Sequence, residues 1–408
     1  TSARSSDTIS NDTWSHIAFT SDGSTLKVYT NGSLSNTYTT SGFVSSINEI
    51  CSTASNRQFN GLIDQVRIFD TALSASDITT LARGVATSYG GTTTNVNFNG
   101  HLDFAPDLVW IKVRSAAGYN HNLFDTIRGA TYRLMSNNVN AQDSNGHLTA
   151  FNNNGFTLDA GGDANPSQEM ISWNWKAGGT AVANNNGNIA SQVSANKDSG
   201  FSIVKYTGNL SGATTATGQS VGHGLAEPPN LIIFKRTSGV SDWWVMSSEL
   251  TDWSTRLRLN DTSSTANYYS QYPMANPTSS VFYTNYITAI NVNAYDYIAY
   301  CWHSVTGFSS IGSYVGTGVS GLQVTSLGFA PSFVMIKNIS DTGSWIMHSK
   351  PPTTTNPSVY HLRANSDAGQ DSGANEQIDF DDDGFTLTGT GQNINHSHGD
   401  TYLYIAFA

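Results

Sequence analysis

The segment Asp379-Phe380-Asp381-Asp382-Asp383-Gly384 spaces three carboxylates as the first half of an EF-hand loop does, with glycine where that loop turns sharply. Asp379, Asp381 and Asp383 would be hard oxygen ligands, and calcium is the one cofactor for which the sequence offers a place. The position that needs a bidentate Glu is Thr390, so the set is incomplete. Asn152-Asn153-Asn154-Gly155 keeps the same turn without the charges, which makes starting the next strand the job the two segments share.

Aromatic rings offer a different chemistry, because a ring face stacks on the C–H side of a pyranose while amide and hydroxyl groups orient it. Trp243-Trp244 and Trp253 lie between apolar runs, and Asn267-Tyr268-Tyr269-Ser270-Gln271-Tyr272 reads as a polar, Tyr-rich loop. Trp243, Trp253, Tyr268, Tyr269 and Tyr272 are therefore the candidate carbohydrate-binding residues. Trp345 recurs farther along as a counterpart of Trp244, which favours a core ring at Trp244.

Other constellations carry less. His396, His398 and Asp400 could share a strand face, yet the loop reading is simpler, and His101 and His223 read as structural histidines. Gly316-Thr317-Gly318-Val319-Ser320-Gly321 fits G-x-G-x-x-G, but Leu322-Gln323-Val324-Thr325 after it reads as a strand, so a turn is expected instead of a nucleotide site. No closely spaced carboxylate pair, G-x-S-x-G elbow, H-E-x-x-H helix or C-x-x-C pair occurs. Asp64 sits in an ordinary strand pattern. The chain is expected not to be an enzyme.

The elements that must position these residues follow from composition. Over 408 residues only 12% are charged while 38% are hydrophobic, a balance that suits packed domains whose polarity comes from Ser, Thr, Asn and Gly. Those residues favour strands and turns over helix interiors, so an all-β fold is predicted. A net charge of −11 without a Lys/Arg cluster excludes nucleic acid as a partner. No run of 18 apolar residues exists, so no membrane insertion is expected. Cys51 and Cys301 alone cannot build a disulfide framework. Thr1-Ser2-Ala3-Arg4-Ser5 has neither an initiator Met nor an apolar signal core, as in a chain that starts within a longer polypeptide, and the end at Ala408 coincides with the end of a strand.

Residues 16–29 read as a hairpin: Ile17 and Phe19 alternate with polar neighbours, Asp22-Gly23 turns, and Leu26 and Val28 resume the alternation. Asn31-Gly32 offers a second turn. Gly61 to Phe69 reads as a strand leading to a helix capped by Ser74 and Asp77 and ended by Gly84. Trp14 to Phe19, Asp22-Gly23, Val28 to Gly32 and Gly61 to Leu81 together resemble the last half of a concanavalin A-like, laminin-G-type jelly roll. That resemblance implies a partial sandwich over residues 1–86.

Beyond it the sequence repeats. Phe104-Ala105-Pro106-Asp107-Leu108-Val109-Trp110-Ile111-Lys112 returns in pattern at Ala226 to Lys235 and at Phe329 to Lys337. Asn154-Gly155-Phe156-Thr157-Leu158 returns as Asp383-Gly384-Phe385-Thr386-Leu387, and aromatic strands close the units at Trp173–Trp175, Tyr297–Trp302 and Tyr402–Phe407. The continuous apolar run after each Pro predicts a strand buried on both faces. The prediction is three homologous β-sandwich repeats at 87–178, 200–305 and 306–408, with a linker at 179–199. The Phe-x-Pro core and the terminal Tyr-Ile-Ala-Tyr/Phe resemble a domain of unknown molecular function recurrent in tail-fibre-like and virion-associated proteins of tailed bacteriophages.

That resemblance implies a virion protein, a tail-fibre or receptor-binding component that adheres to host surface glycans and contacts other virion proteins. A homo-oligomer, by preference a trimer, would multiply weak sugar contacts. The alternatives are a capsid-decorating or fibre-shaft spacer without a ligand, and a polysaccharide-degrading tailspike with carboxylates assembled from separate strands.

Overall fold

In a computed structural model of the chain, residues 17–30, 33–39, 95–97, 102, 104–166, 168–210, 219–267, 274–284, 288–350, 356–396 and 399–408 are described. The chain divides into two compact units, residues 1–87 and 88–408. In the first, β1 (Ile17–Ser21) and β2 (Thr25–Thr30) form the expected hairpin, with Ile17 opposite Thr30. The Asp22 carboxylate accepts the Ser24 and Thr25 N–H groups, and Gly23 takes φ 91°, the left-handed conformation that such a tight turn needs. β3 (Ser33–Thr39) adds to β2, and Val28 and Tyr29 are buried. The Asn31-Gly32 turn, the strand at 61–69 with Asp64, the helix at 74–84, Cys51 and His101 lie outside the described residues.

The larger unit is built from three sets of strands. The first comprises β4 (Asn95–Asn97), β5 (Leu108–Val113), β6 (Asn122–Asp125), β7 (Leu148–Asn152), β8 (Gly155–Asp159) and β9 (Met170–Trp175), in sheets ordered β6-β5-β9 and β4-β8-β7. The second comprises β10 (Val182–Asn184), β11 (Ser191–Asn196), β12 (Phe201–Thr207), β13 (Ser220–Gly222), β14 (Leu231–Arg236), β15 (Trp244–Ser247), β16 (Thr255–Arg258), β17 (Ala266–Asn267), β18 (Val281–Tyr283), the short helix α1 (Thr288–Asn291) and β19 (Asp296–Trp302). Its main sheet runs β10-β11-β12-β19-β14-β15-β16-β17, with β13-β18 opposite. The third comprises β20 (Ser309–Val315), β21 (Leu322–Thr325), β22 (Phe333–Asn338), β23 (Ile346–Ser349), β24 (Leu362–Arg363), β25 (Ile378–Asp381), β26 (Gly384–Leu387) and β27 (Thr401–Phe407), in sheets β20-β27-β22-β23-β24 and β21-β26-β25.

In each set the strand after the conserved-pattern Pro pairs with the closing aromatic strand: β5 with β9, β14 with β19 and β22 with β27. These strands are apolar on both faces, as the continuous runs predict, and the two faces go to different places. Val109 and Ile111, Ile232 and Phe234, and Val334 and Ile336 each fill a core against their own smaller sheet. Leu108 and Trp110, Leu231 and Ile233, and Phe333 and Met335 face the other way and meet in one common core.

Two expectations are corrected by this packing. The three sandwiches are not separate domains, because the residues that alternate inward on each two-faced strand pack into one common core, and residues 88–408 form one compact unit. The segment 179–199 is not a linker: β10 and β11 extend the second sheet, Val193 pairs with Val204, and Ile189 and Val193 are buried. Its Asn and Gly residues form the turn between these strands, where the Asn184 carboxamide oxygen accepts the Asn186 N–H.

Because the inner faces share one core, Trp243→Ala is expected to cost about 3–5 kcal/mol and to lower a single calorimetric transition for residues 88–408 within the full chain. A transition from the first or third set that stays at its original temperature would contradict a shared core.

Candidate functional site

The last inward residue of each two-faced strand is a lysine. Lys112, Lys235 and Lys337 are fully buried, and each amino group crosses to a backbone carbonyl of another set: Lys112 to Asp367 at 3.4 Å, Lys235 to Val139 at 2.9 Å and Lys337 to Thr262 at 3.1 Å. A second carbonyl accepts from each Nζ, that of Val113, Ser241 and Gly343 respectively. Two backbone carbonyls thus accept from each buried amino group. Burial accordingly pushes Lys235 down to about 7 and Lys112 and Lys337 down to about 8, with carboxylates such as Asp242, Asp367 and Asp261 pulling back.

The residue before the next strand supplies a ring N–H to the same seam. Trp243 Nε1 donates to the Met135 carbonyl at 2.8 Å and Trp345 Nε1 to that of Arg258 at 2.8 Å. In the first set the ring is His121: Trp110 Nε1 donates to its Nδ1, so the proton sits on Nε2 and is donated to the Arg363 carbonyl at 3.0 Å. Each ring residue is fixed by an asparagine of its own set, whose carboxamide oxygen accepts its backbone N–H: Asn137 for His121, Asn260 for Trp243 and Asn365 for Trp345. Backbone bonds complete the seams, Gln142 N–H to Thr237, Thr265 N–H to Ile339 and Gln370 N–H to Arg114. The direction is cyclic: the second set donates side chains to the first, the third to the second, and the first to the third.

Two further polar groups sit in the interior. Arg128 and Asp125 form a buried ion pair at 2.5 Å, and the Tyr300 hydroxyl donates to Asp125 at 2.8 Å, tying the first set to the second. His348 takes the outward place on β23 that Met246 has on β15 and Phe124 on β6. It lies 5.7 Å from the His361 ring, beside the backbone of Tyr360 and Glu376, and neither of its nitrogens makes a hydrogen bond of good geometry. Burial pushes His348 down to about 3, and burial followed by the Arg363 charge lowers His361. Both imidazoles are neutral at pH 7, and among the described residues no group of three His, Cys, Asp or Glu side chains converges to hold a metal ion.

The sequence candidates are dispersed. Trp243 is 0% exposed and Trp253 6%, so neither ring has a face free for a sugar; Trp243 fills the common core and Trp253 the core of its own set. Trp345 corresponds to Trp243, the ring at the seam, and not to Trp244, which lies under Arg256. Tyr268, Tyr269 and Tyr272 lie outside the described residues. Asp381 and Asp383 are occupied by local bonds, Asp381 from the Thr386 hydroxyl and Asp383 from the Gly328 N–H at 2.6 Å each, while Asp379 has a buried, unpartnered oxygen. Burial, with Asp381 beside it, raises Asp379. The carboxylates therefore do not converge as calcium ligands, Asp381 and Asp383 being engaged by Thr386 and Gly328.

His223 is a satisfied structural histidine, with Nδ1 accepting from Leu225 N–H and Nε2 against the Thr278 carbonyl. The glycine-rich run is a turn held by Asn395, which accepts from Thr317 and Gly318, and β21 follows it. His396 stands 3.7 Å from Asp400, and His398 lies outside the described residues. The seam groups were only half visible in the sequence: the lysines recur, but their role does not, and the unused signal was Leu-x-x-Asn at Leu134-Asn137, Leu257-Asn260 and Leu362-Asn365.

Residues 84–408 match the profile of a family described as a domain of unknown function, DUF7483. Residues 1–79 match a laminin-G profile of the concanavalin A-like lectin/glucanases superfamily. No curated protein and no solved structure matches the chain.

Stability is expected to rise with pH from 5 to 9. His121, His223, His348 and His361 have folded values below their ordinary one, so the unfolded chain takes up protons below about pH 6.5 that the folded chain refuses. The three lysines act likewise between about pH 10 and their lowered values. Urea unfolding at pH 5, 7 and 9 should show gains of about 1.4 kcal/mol per pH unit for each proton of difference. A flat or falling profile would contradict the burial of these groups in the fold.

Proposed function

We propose a binding and structural role without covalent chemistry for this chain, which belongs to the DUF7483 family of domains of unknown function. Our reading is a virion component of the tail-fibre or receptor-binding kind that residues 87–408 resemble, adhering to host surface glycans. The observation that carries it is the use made of the reactive side chains. Lys112, Lys235, Lys337, His121 and the Asp125–Arg128 pair are engaged in holding the body together. A rigid body of that kind presents loops at low entropic cost, and the lectin-superfamily match of residues 1–79 supplies a module type suited to sugars. Several copies on one particle would turn weak sugar contacts into firm attachment.

A second reading, a spacer without a ligand, is favoured by the burial of Trp243 and Trp253. The two readings separate in one experiment. Full-length chain is applied to an array of bacterial surface oligosaccharides and to host cells. Saturable binding that is competed by the free sugar is the expected result. Absence of binding to both by correctly folded protein would leave the spacer role.

A further inference from the structure

Two buried histidines meet in the third set. His348 is 0% exposed and His361 2%, with ring centroids 5.7 Å apart. Neither nitrogen of His348 nor Nδ1 of His361 has a hydrogen-bond partner of good geometry. The remaining nitrogen, Nε2 of His361, accepts from the Arg363 guanidinium at 3.4 Å, so a proton there would set donor against donor. Two carboxylates lie near His361, Asp371 and the Glu376 that ends the 3-10 turn Ala374–Glu376. Both are turned to other donors, Glu376 to Asn393 at 2.8 Å and Asp371 to Arg363 at 2.8 Å. On the other side β22 places the apolar Val334 opposite His348. Nothing around the pair is arranged to receive a positive charge.

The segment that covers the pair, residues 358–378, also carries the third set's half of the seam with the first. It runs along β23 through β24, folds back so that His361 and Asp371 exchange backbone bonds of 2.9 Å, and reaches β25 at Ile378. Its Arg363 carbonyl accepts from His121, its Ala364 carbonyl from Ser136 at 2.6 Å, and its Asp367 carbonyl from Lys112. Its Gln370 N–H donates to the Arg114 carbonyl at 2.7 Å. His121 is a third titratable ring at this seam. Trp110 Nε1 donates to its Nδ1, which leaves no place for a second proton. The other two seams are built differently: Met246 and Phe124 stand where His348 stands, and Trp243 and Trp345 supply indoles that do not titrate.

We propose that the seam between the third and first sets is an acid-sensitive latch: protonation of His348 and His361 favours lifting of residues 358–378 from β23, which releases His121 and Lys112 and opens the ring of three sets at that seam. At pH 7 the rings are neutral and the latch is closed. Burial lowers both histidines in the closed fold, that of His348 to about 3, whereas a lifted segment lets them titrate near 6.5. The open form therefore takes up protons that the closed form refuses, and opening is favoured as pH falls below about 6.5. Between pH 7 and pH 5 the opening constant rises by up to about 25-fold for each ring and up to about 600-fold for the two together. The latch goes beyond the adhesion reading and does not depend on it.

The test is hydrogen exchange read by mass spectrometry on the full chain at pH 7 and pH 5, each rate referred to the intrinsic rate at that pH. Peptides over 358–378 are compared with those that hold the Gln142 and Thr265 amides of the other two seams. Protection of the three should be alike at pH 7, and at pH 5 that of 358–378 should fall about a hundredfold below the others. His348→Met, which brings in the side chain that the equivalent place on β15 already holds, should reduce that fall to about tenfold or less. Protection that falls equally at all three seams, or at none, would overturn the latch without recourse to the variant. A fall at 358–378 that His348→Met leaves unchanged would overturn it as well.

Discussion

The central strands of the larger unit are apolar on both faces, and that double burial governs everything around them. One face is covered by a small sheet of the same set, as for Val109 and Ile111 against Phe156 and Leu158. The other face meets the equivalent faces of the other two sets, so Trp110, Ile233 and Met335 share one core. At about 25 cal/mol per Å² of apolar surface, exposing even one such face would be prohibitive for a marginally stable fold. Three sandwiches that could each be drawn as a separate domain are thereby held in one body.

Bringing three sheets together strands polar groups at their seams, and the seams solve this in the same way three times. A lysine amine, a ring N–H and a backbone N–H from one set each find a partner in another. The net gain per bond is about 1 kcal/mol, but losing one partner leaves a buried group unsatisfied at a cost of about 1–3 kcal/mol, so the bonds act more as a registry than as a source of stability. His121 does with an imidazole what Trp243 and Trp345 do with indoles, which is possible only because Trp110 fixes its tautomer. His348 is a buried titratable group whose ring nitrogens make no hydrogen bond of good geometry.

Much of the fold was legible in the sequence. Continuous apolar runs after Pro106, Pro229 and Pro331 identified strands buried twice over, and Asp22-Gly23 identified its hairpin. The site was less legible, for a physical reason. Trp243 and Trp253 are chemically the same whether they stack on a sugar or fill a core, and only the tertiary packing, which puts one in the common core and the other in the core of its own set, decides which. Spacing in Asp379, Asp381 and Asp383 mimicked a calcium loop, but spacing does not reveal that Thr386 and Gly328 already occupy two of the carboxylates. The segment 179–199 looked like a linker because Asn and Gly dominate it, whereas two buried side chains, Ile189 and Val193, suffice to dock it.

The claim on which the account rests is that three equivalent seams close the body into one cooperative unit. Native-state hydrogen exchange at pH 7 of the Gln142, Thr265 and Gln370 amides, one for each seam, tests it directly. The account predicts that all three exchange only through global unfolding, with one common free energy and one denaturant dependence. A seam amide that exchanges through a smaller, local opening while the other two stay protected would contradict it.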